Sequence, residues 1–403
     1  MLSELRTFSI ALKIARRDLL DLWRAKMLLF SFLLMPLLLM AMFGYMFPTT
    51  PKANLAVGNM PTAYPNIPVA LVQMDRGSLA NAVANQFVDI AQAQQLFRVS
   101  EVTSYQTARE SIVWGTISGI VVIPDGFTAA ITAGMQATVQ VTVDETNPQI
   151  AAVVQSEIAA IFGVISSSIS TTTMTNMMGN SINPAFLLEP VSITQVPLIS
   201  GTSTTFQFLA PGFMALTVVF GALSGVGFAI SREREQGTMD GLLVSPITRR
   251  AVIFGKVLSQ TVRGLIQAFL ILGLSMLIFG VRIYGSPLLM VLTMLLGVAS
   301  FVGVGIILTA FAPEQETAQM IVILLQFPMM FLSGIIFPVT SLPGWMQWIG
   351  KAMPLYYAAD ALRKVVILNA GLNVIGMDLM ILIAYALITL TAAVPVFEKA
   401  MTR

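Results

Sequence analysis

Six blocks of this chain run for about the length of a membrane crossing with no charge in their apolar centres. They are Met27–Phe47, Phe206–Ile230, Leu265–Val281, Ser286–Phe311, Thr317–Phe337 and Met377–Val396. The third reaches back toward Val257; Arg263 stands near its start and Asp378 at the edge of the last. A hydrocarbon core ~30 Å thick needs about 20 apolar residues per helix, so this pattern predicts a polytopic α-helical membrane protein with six spans. Composition agrees: 56% of the 403 residues are hydrophobic, 10% are charged, and the mean hydropathy is +0.81. Met27–Phe47 is long for a signal-peptide core, lacks a small-x-small site beyond it, and follows a long charged stretch, so it reads as a span.

Charge sets the expected orientation. Arg6, Lys13, Arg16, Arg17, Arg24 and Lys26 precede the first block against Glu4, Asp18 and Asp21, which by the positive-inside rule places the N-terminus in the cytoplasm. Residues 48–205 separate the first two blocks and carry four basic and nine acidic side chains, suited to the exterior. Alternation returns residues 232–263 to the cytoplasm with six basic side chains against three acidic, and both termini end inside. Arg363 and Lys364 break the rule, because they fall on the exterior side. The segment 338–364 around them holds Pro354, Trp345, Trp348, Tyr356 and Tyr357, and reads either as short helices dipping into the outer leaflet or as an ordinary loop. In residues 1–26, Phe8, Leu12, Ala15, Leu19 and Leu22 share one helical face, which suits an amphipathic helix on the inner surface or a simple anchor for the first span.

The inserted segment reads as a small α/β domain. "IPVALVQM", "LFRVSEV", "SGIVVIP" and "ATVQVTVDE" have strand patterns, and "SLANAVANQFVDIAQAQ", "SYQTARESIVWG" and "GFTAAITAG" alternate with them as helices. From Pro148 a helical pattern runs into the Ser/Thr/Met-rich "SSSISTTTMTNMMGN", expected to form a long stalk or a flexible return.

Several chemistries are disfavoured. The chain has no cysteine and no histidine, which removes disulfides and the commonest metal ligand and general base. No catalytic residue and no metal site is expected. No G-x-x-x-x-G-K-[ST] occurs, so the chain itself is not expected to bind ATP through a P-loop. Charges are missing from the span centres, which argues against an ion-coupled carrier, although backbone and hydroxyl oxygens could still hold Na⁺. Gly221-x-x-x-Gly225, Gly297 and Gly303 lie inside apolar blocks and are read as helix-packing positions, with lining of a substrate path as the alternative. The cluster Met174, Met177, Met178 reads as adaptable packing rather than a Cu(I) site.

Charge is concentrated instead in "ISREREQGTMDGLLVSPITRR", residues 230–250. Arg232, Glu233, Arg234 and Glu235 end an apolar run, Gly237 can stop a helix, and Thr238 can cap a short new one. That helix presents Met239, Leu242 and Leu243 on one side, with Asp240 beside them, and Pro246 ends it. Such an element is shaped to fill a groove on a partner; a solvated interfacial loop fits the same residues.

The stretch Glu235-Gln236-Gly237-Thr238-Met239-Asp240-Gly241-Leu242-Leu243-Val244-Ser245-Pro246 resembles the coupling helix of permease subunits of type-2 ATP-binding-cassette exporters, in the subgroup with a large exterior domain after the first span. "LPGWMQWIGKAMPLYYAADALRK" is similar to that family's exterior re-entrant segment, and "SGIVVIPDGF" to a strand end in its exterior domain. The resemblance implies a half-transporter in the cell membrane of a prokaryote. It would pair with a second permease copy, identical or paralogous, contact membrane lipid and no nucleic acid, and export a hydrophobic or amphiphilic cargo. The energy would come from ATP and Mg²⁺ held by a separate ATPase subunit that docks on about 232–248. A membrane-anchored receptor or adhesin acting through the exterior domain, or an ion-coupled carrier, is the alternative.

Overall fold

The computed structural model describes residues 12–16, 20, 26–46, 66–144, 146, 148–176, 190–198, 205–235, 249–310, 312, 314–337 and 339–401. The chain divides into two compact units: Met1–Pro48 with Thr204–Arg403, and Thr49–Ser203.

The second unit is an α/β layer structure. Its sheet holds β1 (Ile67–Gln73), β2 (Phe97–Glu101), β3 (Gly119–Ile123), β4 (Ala137–Val143) and β5 (Val191–Gln195), in the order β2-β1-β3-β4-β5. β1 pairs in parallel with both β2 and β3, β3 pairs antiparallel with β4, and β4 pairs in parallel with β5. Successive strand side chains point to opposite faces. Val69, Leu71, Val121, Ile123, Val139 and Val141 therefore share one face, and join a single core with residues of α2 (Ser78–Ala93) and of a later helix, α5 (Pro148–Asn176). Phe87 of α2 stacks on Phe97 of β2 and on Phe162 of α5, with ring centroids 6.4 and 5.4 Å apart. On the opposite strand parity, Ala70, Val72, Ile120 and Val122 are also buried, and α3 (Tyr105–Val113) packs on β1 and β3 through buried Ala108 and Ile112.

Two findings here differ from the sequence reading. The described part of the expected stalk begins as a covering helix: Ile150, Val154, Ile158, Ile161, Phe162 and Ile165 are buried against the sheet. β5 was not anticipated; it adds to the sheet edge, where buried Ser166 of α5 accepts from the Val191 amide and donates to the Val191 carbonyl, both at 3.3 Å.

Asp75, in the turn after β1, accepts from the amides of Gly77 and Thr128, each at 2.6 Å. It thereby ties the start of α2 to α4 (Phe127–Thr132), whose N-cap Gly126 has φ of 82°, the left-handed region that favours glycine. These bonds hold the Asp75 carboxyl below its ordinary range, the Thr128 amide contributing most. A Cβ on Gly77 would collide with the Thr128 side chain, so the joint closes only with glycine there.

The helical unit contains α1 (Lys26–Met46), α6 (Thr205–Glu235), α7 (Arg249–Phe279), α8 (Pro287–Thr309) and α9 (Gln315–Leu332). After a short 3-10 turn come α10 (Gly344–Lys351), α11 (Pro354–Val366) and α12 (Leu372–Met401). α6 is its centre and packs against α1, α7, α8, α9 and α11. The six expected spans fall on α1, α6, α7, α8, α9 and α12. Among the described residues, five segments are long and apolar enough to cross a membrane: Ile150–Thr171, Phe206–Leu223, Thr261–Phe279, Pro287–Leu308 and Leu372–Val396. The first belongs to α5, whose apolar face is the one turned to the sheet. Leu34–Phe43 of α1 and Glu316–Leu332 of α9 are shorter.

Helix ends depart from the expected boundaries for local reasons. α7 stops at Gly280 (φ 67°), and α9 stops before Gly334 (φ 81°), short of the expected Phe337. α7 starts at Arg249 and α12 at Leu372, both earlier than expected. As a result Asp378 lies within its apolar window rather than at its edge, whereas Arg263, the third residue of the window Thr261–Phe279, keeps the position near the start that the sequence suggested. Of the expected N-terminal amphipathic helix, residues 12–16 are helical, with Ala15 buried and Leu12 exposed; Phe8, Leu19 and Leu22 lie outside the described residues.

Candidate coupling site and transport path

α6 and α7 are each 31 residues long. At ~1.5 Å per residue each extends well beyond a ~30 Å hydrocarbon core. The excess lies where they approach one another in sequence: α6 runs on from its apolar window to Arg232, Glu233, Arg234 and Glu235, and α7 begins with Arg249 and Arg250 before its own window. Gly237, Thr238, Met239, Asp240, Leu242, Leu243 and Pro246 fall between the two helices, outside the described residues.

Several of the closest helix approaches in this unit are made at glycine. A Cβ on Gly303 of α8 would stand 2.5 Å from the Thr389 carbonyl carbon of α12, and one on Gly305 would stand 2.6 Å from the Leu223 carbonyl oxygen of α6. Gly297 of α8 faces the Ala358 Cβ of α11 at an ordinary 3.5 Å. A Cβ on Gly221 of α6 would stand 3.0 Å from the Gln267 Oε1 of α7; the surroundings of Gly225 lie outside the described residues. α8 is thus in close contact with α6 and α12 on two sides. Hydroxyls complete the second seam: Ser300 donates to the Leu382 carbonyl at 2.9 Å, and Thr389 donates to the Ser300 carbonyl at 3.1 Å. In an apolar solvent, where burial gives helices no advantage over lipid, close backbone approach and such bonds hold them together.

The two cations that broke the charge rule are both engaged. Arg363 of α11 donates to the Gly334 and Ile335 carbonyls at 2.8 and 3.2 Å, and its guanidinium lies 4.1 Å over the Phe208 ring of α6. Those carbonyls follow the break that ends α9. Lys364 pairs with Asp360 one turn back at 2.6 Å and with Asp378 of α12 at 3.3 Å. Consecutive basic residues thus fasten α11 to α6, to the end of α9 and to α12. Apart from Asp360, one turn back, these partners stand far from the cations in the chain: Asp378 is 14 residues from Lys364, and the Gly334 and Ile335 carbonyls are 29 and 28 residues from Arg363. At the other end of α11's hairpin, the Tyr385 hydroxyl of α12 donates to the Ala352 carbonyl.

α7 carries a second feature that sequence reading passed over. Ser259, Arg263, Gln267 and Ser275 recur at multiples of four on one side of the helix, while Phe269, Leu270 and Leu277 are exposed on the other. Ser259, Gln267 and Ser275 are fully buried. Ser275 donates to the Met40 sulfur of α1 at 3.7 Å. Neither side-chain atom of the Gln267 amide has a hydrogen-bond partner among the described residues. An unsatisfied buried polar group costs about 1–3 kcal/mol, so this amide stands out from the satisfied seams around it.

A family model described as "ABC-2 family transporter protein" matches residues 26–394. The chain belongs to the ABC-2 transporter family. The matched span of this ABC-2 chain takes in the charged stretch, the glycine seams, the α11–α12 ion pair and the polar side of α7. It is 28% identical over 192 residues, 48% of this chain and 52% of the relative, to the "Probable multidrug ABC transporter permease YbhR" of Escherichia coli. It is 29% identical over 195 residues to the "Inner membrane transport permease YhhJ" of the same species, covering 47% and 51% of the two chains. It is 27% identical over 195 residues to "ABC transporter G family member 20" of Dictyostelium discoideum, covering 46% of this chain and 26% of that one. The chain spans about half the length of the E. coli relatives it matches.

Proposed function

We propose that this ABC-2 chain is the membrane-spanning permease subunit of an ATP-driven exporter, taking mechanical work from a separate ATPase subunit at about 232–248. The observation that carries this reading is the pair of overlong helices. α6 and α7 end in charged residues beyond their apolar windows, and the sequence that connects them, with Met239, Leu242 and Leu243, reads as a short amphipathic segment. α6 is also the packing centre of the unit, so displacement of its charged end reaches α1, α7, α8, α9 and α11 together. In the proposed arrangement six helices cross the cell membrane of a prokaryote, both termini are cytoplasmic, and residues about 48–205 are exterior. A second permease copy, identical or paralogous, completes the path. ATP and Mg²⁺ are held by the ATPase partner, and the cargo is hydrophobic or amphiphilic. The names of the E. coli relatives support the permease role.

The test is ATPase activity of the complex reconstituted with and without the docking residues. Replacing Leu242→Asp together with Leu243→Asp is expected to abolish the stimulation that this chain gives its ATPase partner, with membrane insertion intact. Full stimulation by the double variant would overturn the assignment.

A further inference from the structure

We propose that Gln267 and Arg263 of α7 form a binding subsite for the anionic head of an amphiphile, lodged in the seam between α6 and α7. The proposal deepens the exporter reading, and rests on it for the claim that such an amphiphile is cargo.

The seam itself is a stripe of small residues. A Cβ on Gly221 of α6 would stand 3.0 Å from the Gln267 Oε1, and one on Gly264 of α7 would stand 3.3 Å from Val298 of α8 and 3.7 Å from the Val218 carbonyl oxygen. A stripe of this kind ordinarily means close packing and nothing more. The independent observation is Gln267. Its side chain is completely buried, its Oε1 points at Gly221, and neither Oε1 nor Nε2 finds a hydrogen-bond partner among the described residues. Gln207, also buried and also in this unit, does find one, donating to the Arg282 carbonyl at 3.0 Å. A primary amide offers two donors and an acceptor, and burial far from water leaves it to be completed by a group that brings both.

The surroundings choose the class of that group. Arg263 lies one turn away on the same side of α7, and a guanidinium presents a planar fork of donors matched to carboxylate and phosphate oxygens. One turn beyond Gln267, away from Arg263, the same side continues with buried Ile271, which suits an apolar tail. A charged end at Arg263, a hydrogen bond at Gln267 and an apolar continuation together describe an amphiphilic anion.

The experiment uses the full chain in nanodiscs of neutral phosphatidylcholine and needs no ATPase, so its failure is separable from failure of the exporter reading. The probe is a dansyl-labelled medium-chain fatty acid, competed by an alkyl phosphate or by the corresponding uncharged alcohol. The alkyl phosphate is expected to compete and the alcohol to fail. Gln267→Leu is expected to weaken binding about tenfold, the equivalent of one hydrogen bond, and Arg263→Met about a hundredfold. Arg263→Lys should recover part of the loss, and Phe269→Ala on the exposed side should leave affinity unchanged. Because Gln267→Leu removes an unsatisfied group, it should also melt higher than the parent, so lost binding in that variant does not report misfolding. Discs containing anionic phosphatidylglycerol distinguish the source: competition by the lipid assigns the head to a resident phospholipid, and competition by added alkyl phosphate alone assigns it to a soluble amphiphile. Unchanged probe affinity in both Gln267→Leu and Arg263→Met, with or without a raised melting temperature, would overturn the proposal and leave Gln267 as a packing defect.

Discussion

The two units of this chain hold themselves together by opposite means. In the α/β unit the core is made of large side chains: Phe87, Phe97 and Phe162 stack on one another, and Val and Ile of five strands fill the space around them. In the helical unit the tightest contacts are made where side chains are missing. Gly303 meets the backbone of α12, Gly305 meets that of α6, and large residues such as Leu277, Leu324 and Ile388 are left exposed. The difference follows from the solvent each unit was built for. Water drives apolar side chains together, so a core of rings and branched chains is favourable in the α/β unit. Lipid is as apolar as leucine, so burying leucine gains little, and helices associate through close backbone approach and satisfied polar groups.

That contrast can be broken or sharpened by substitution, beginning with the α/β core. Phe162→Ala is expected to destabilise this unit by about 3–5 kcal/mol, seen as lost hydrogen-exchange protection across β1 and β3 with the helices of the other unit unaffected. Equal loss in both units would contradict their separate packing. Next in size is Gly303→Ala, where one added methyl must displace backbone; a cost of about 1–3 kcal/mol is expected, measured as a lower melting temperature in detergent. The matching change in the α/β unit has the opposite sign. Gly163 lies within α5 with open space where its Cβ would be. Gly163→Ala should therefore stabilise by about 0.5–1 kcal/mol through helix propensity and the stiffer unfolded chain.

The smallest effect is expected at Asp75, a carboxylate in reach of solvent. Its folded pKa is lowered by the Thr128 and Gly77 amides, so its stabilisation is complete above the ordinary carboxylate value and is lost as pH falls through the lowered folded value. Asp75→Asn should flatten that acid limb of the α/β unit's unfolding profile by lowering stability slightly at neutral pH, with parent and variant converging once Asp75 is protonated. A parallel acid limb in the variant would remove Asp75 from the account.

What could be read from sequence follows the same division. The spans were legible because a lipid core demands long apolar runs whatever the tertiary contacts are, and α6, α7, α8 and α12 fall where those runs are. β1 to β4 were legible because each alternates or stays apolar over several residues between turn residues. β5 was not, since "VSITQ" is five residues long and stands far from its neighbour β4 in sequence. The role of α5 was missed because its apolar face looks alike whether it covers a sheet or stands free. Within the candidate site, Arg363 and Lys364 were visible as charges in an unexpected place. Their partners were not, because the Gly334 and Ile335 carbonyls become available only through the break at the end of α9. The polar side of α7 was missed because its residues stand four or eight apart in a largely apolar run, and they are seen to share one side only once the helix is known to begin at Arg249.

The measurement that tests the central claim most directly is a pull-down of the tagged chain from its native membrane in mild detergent, followed by mass spectrometry and an ATPase assay. The account predicts that a P-loop ATPase subunit copurifies with the parent chain and is lost from the Leu242→Asp, Leu243→Asp variant. An oligomer that survives purification with no ATPase bound, or an ATPase retained equally by the variant, would contradict it.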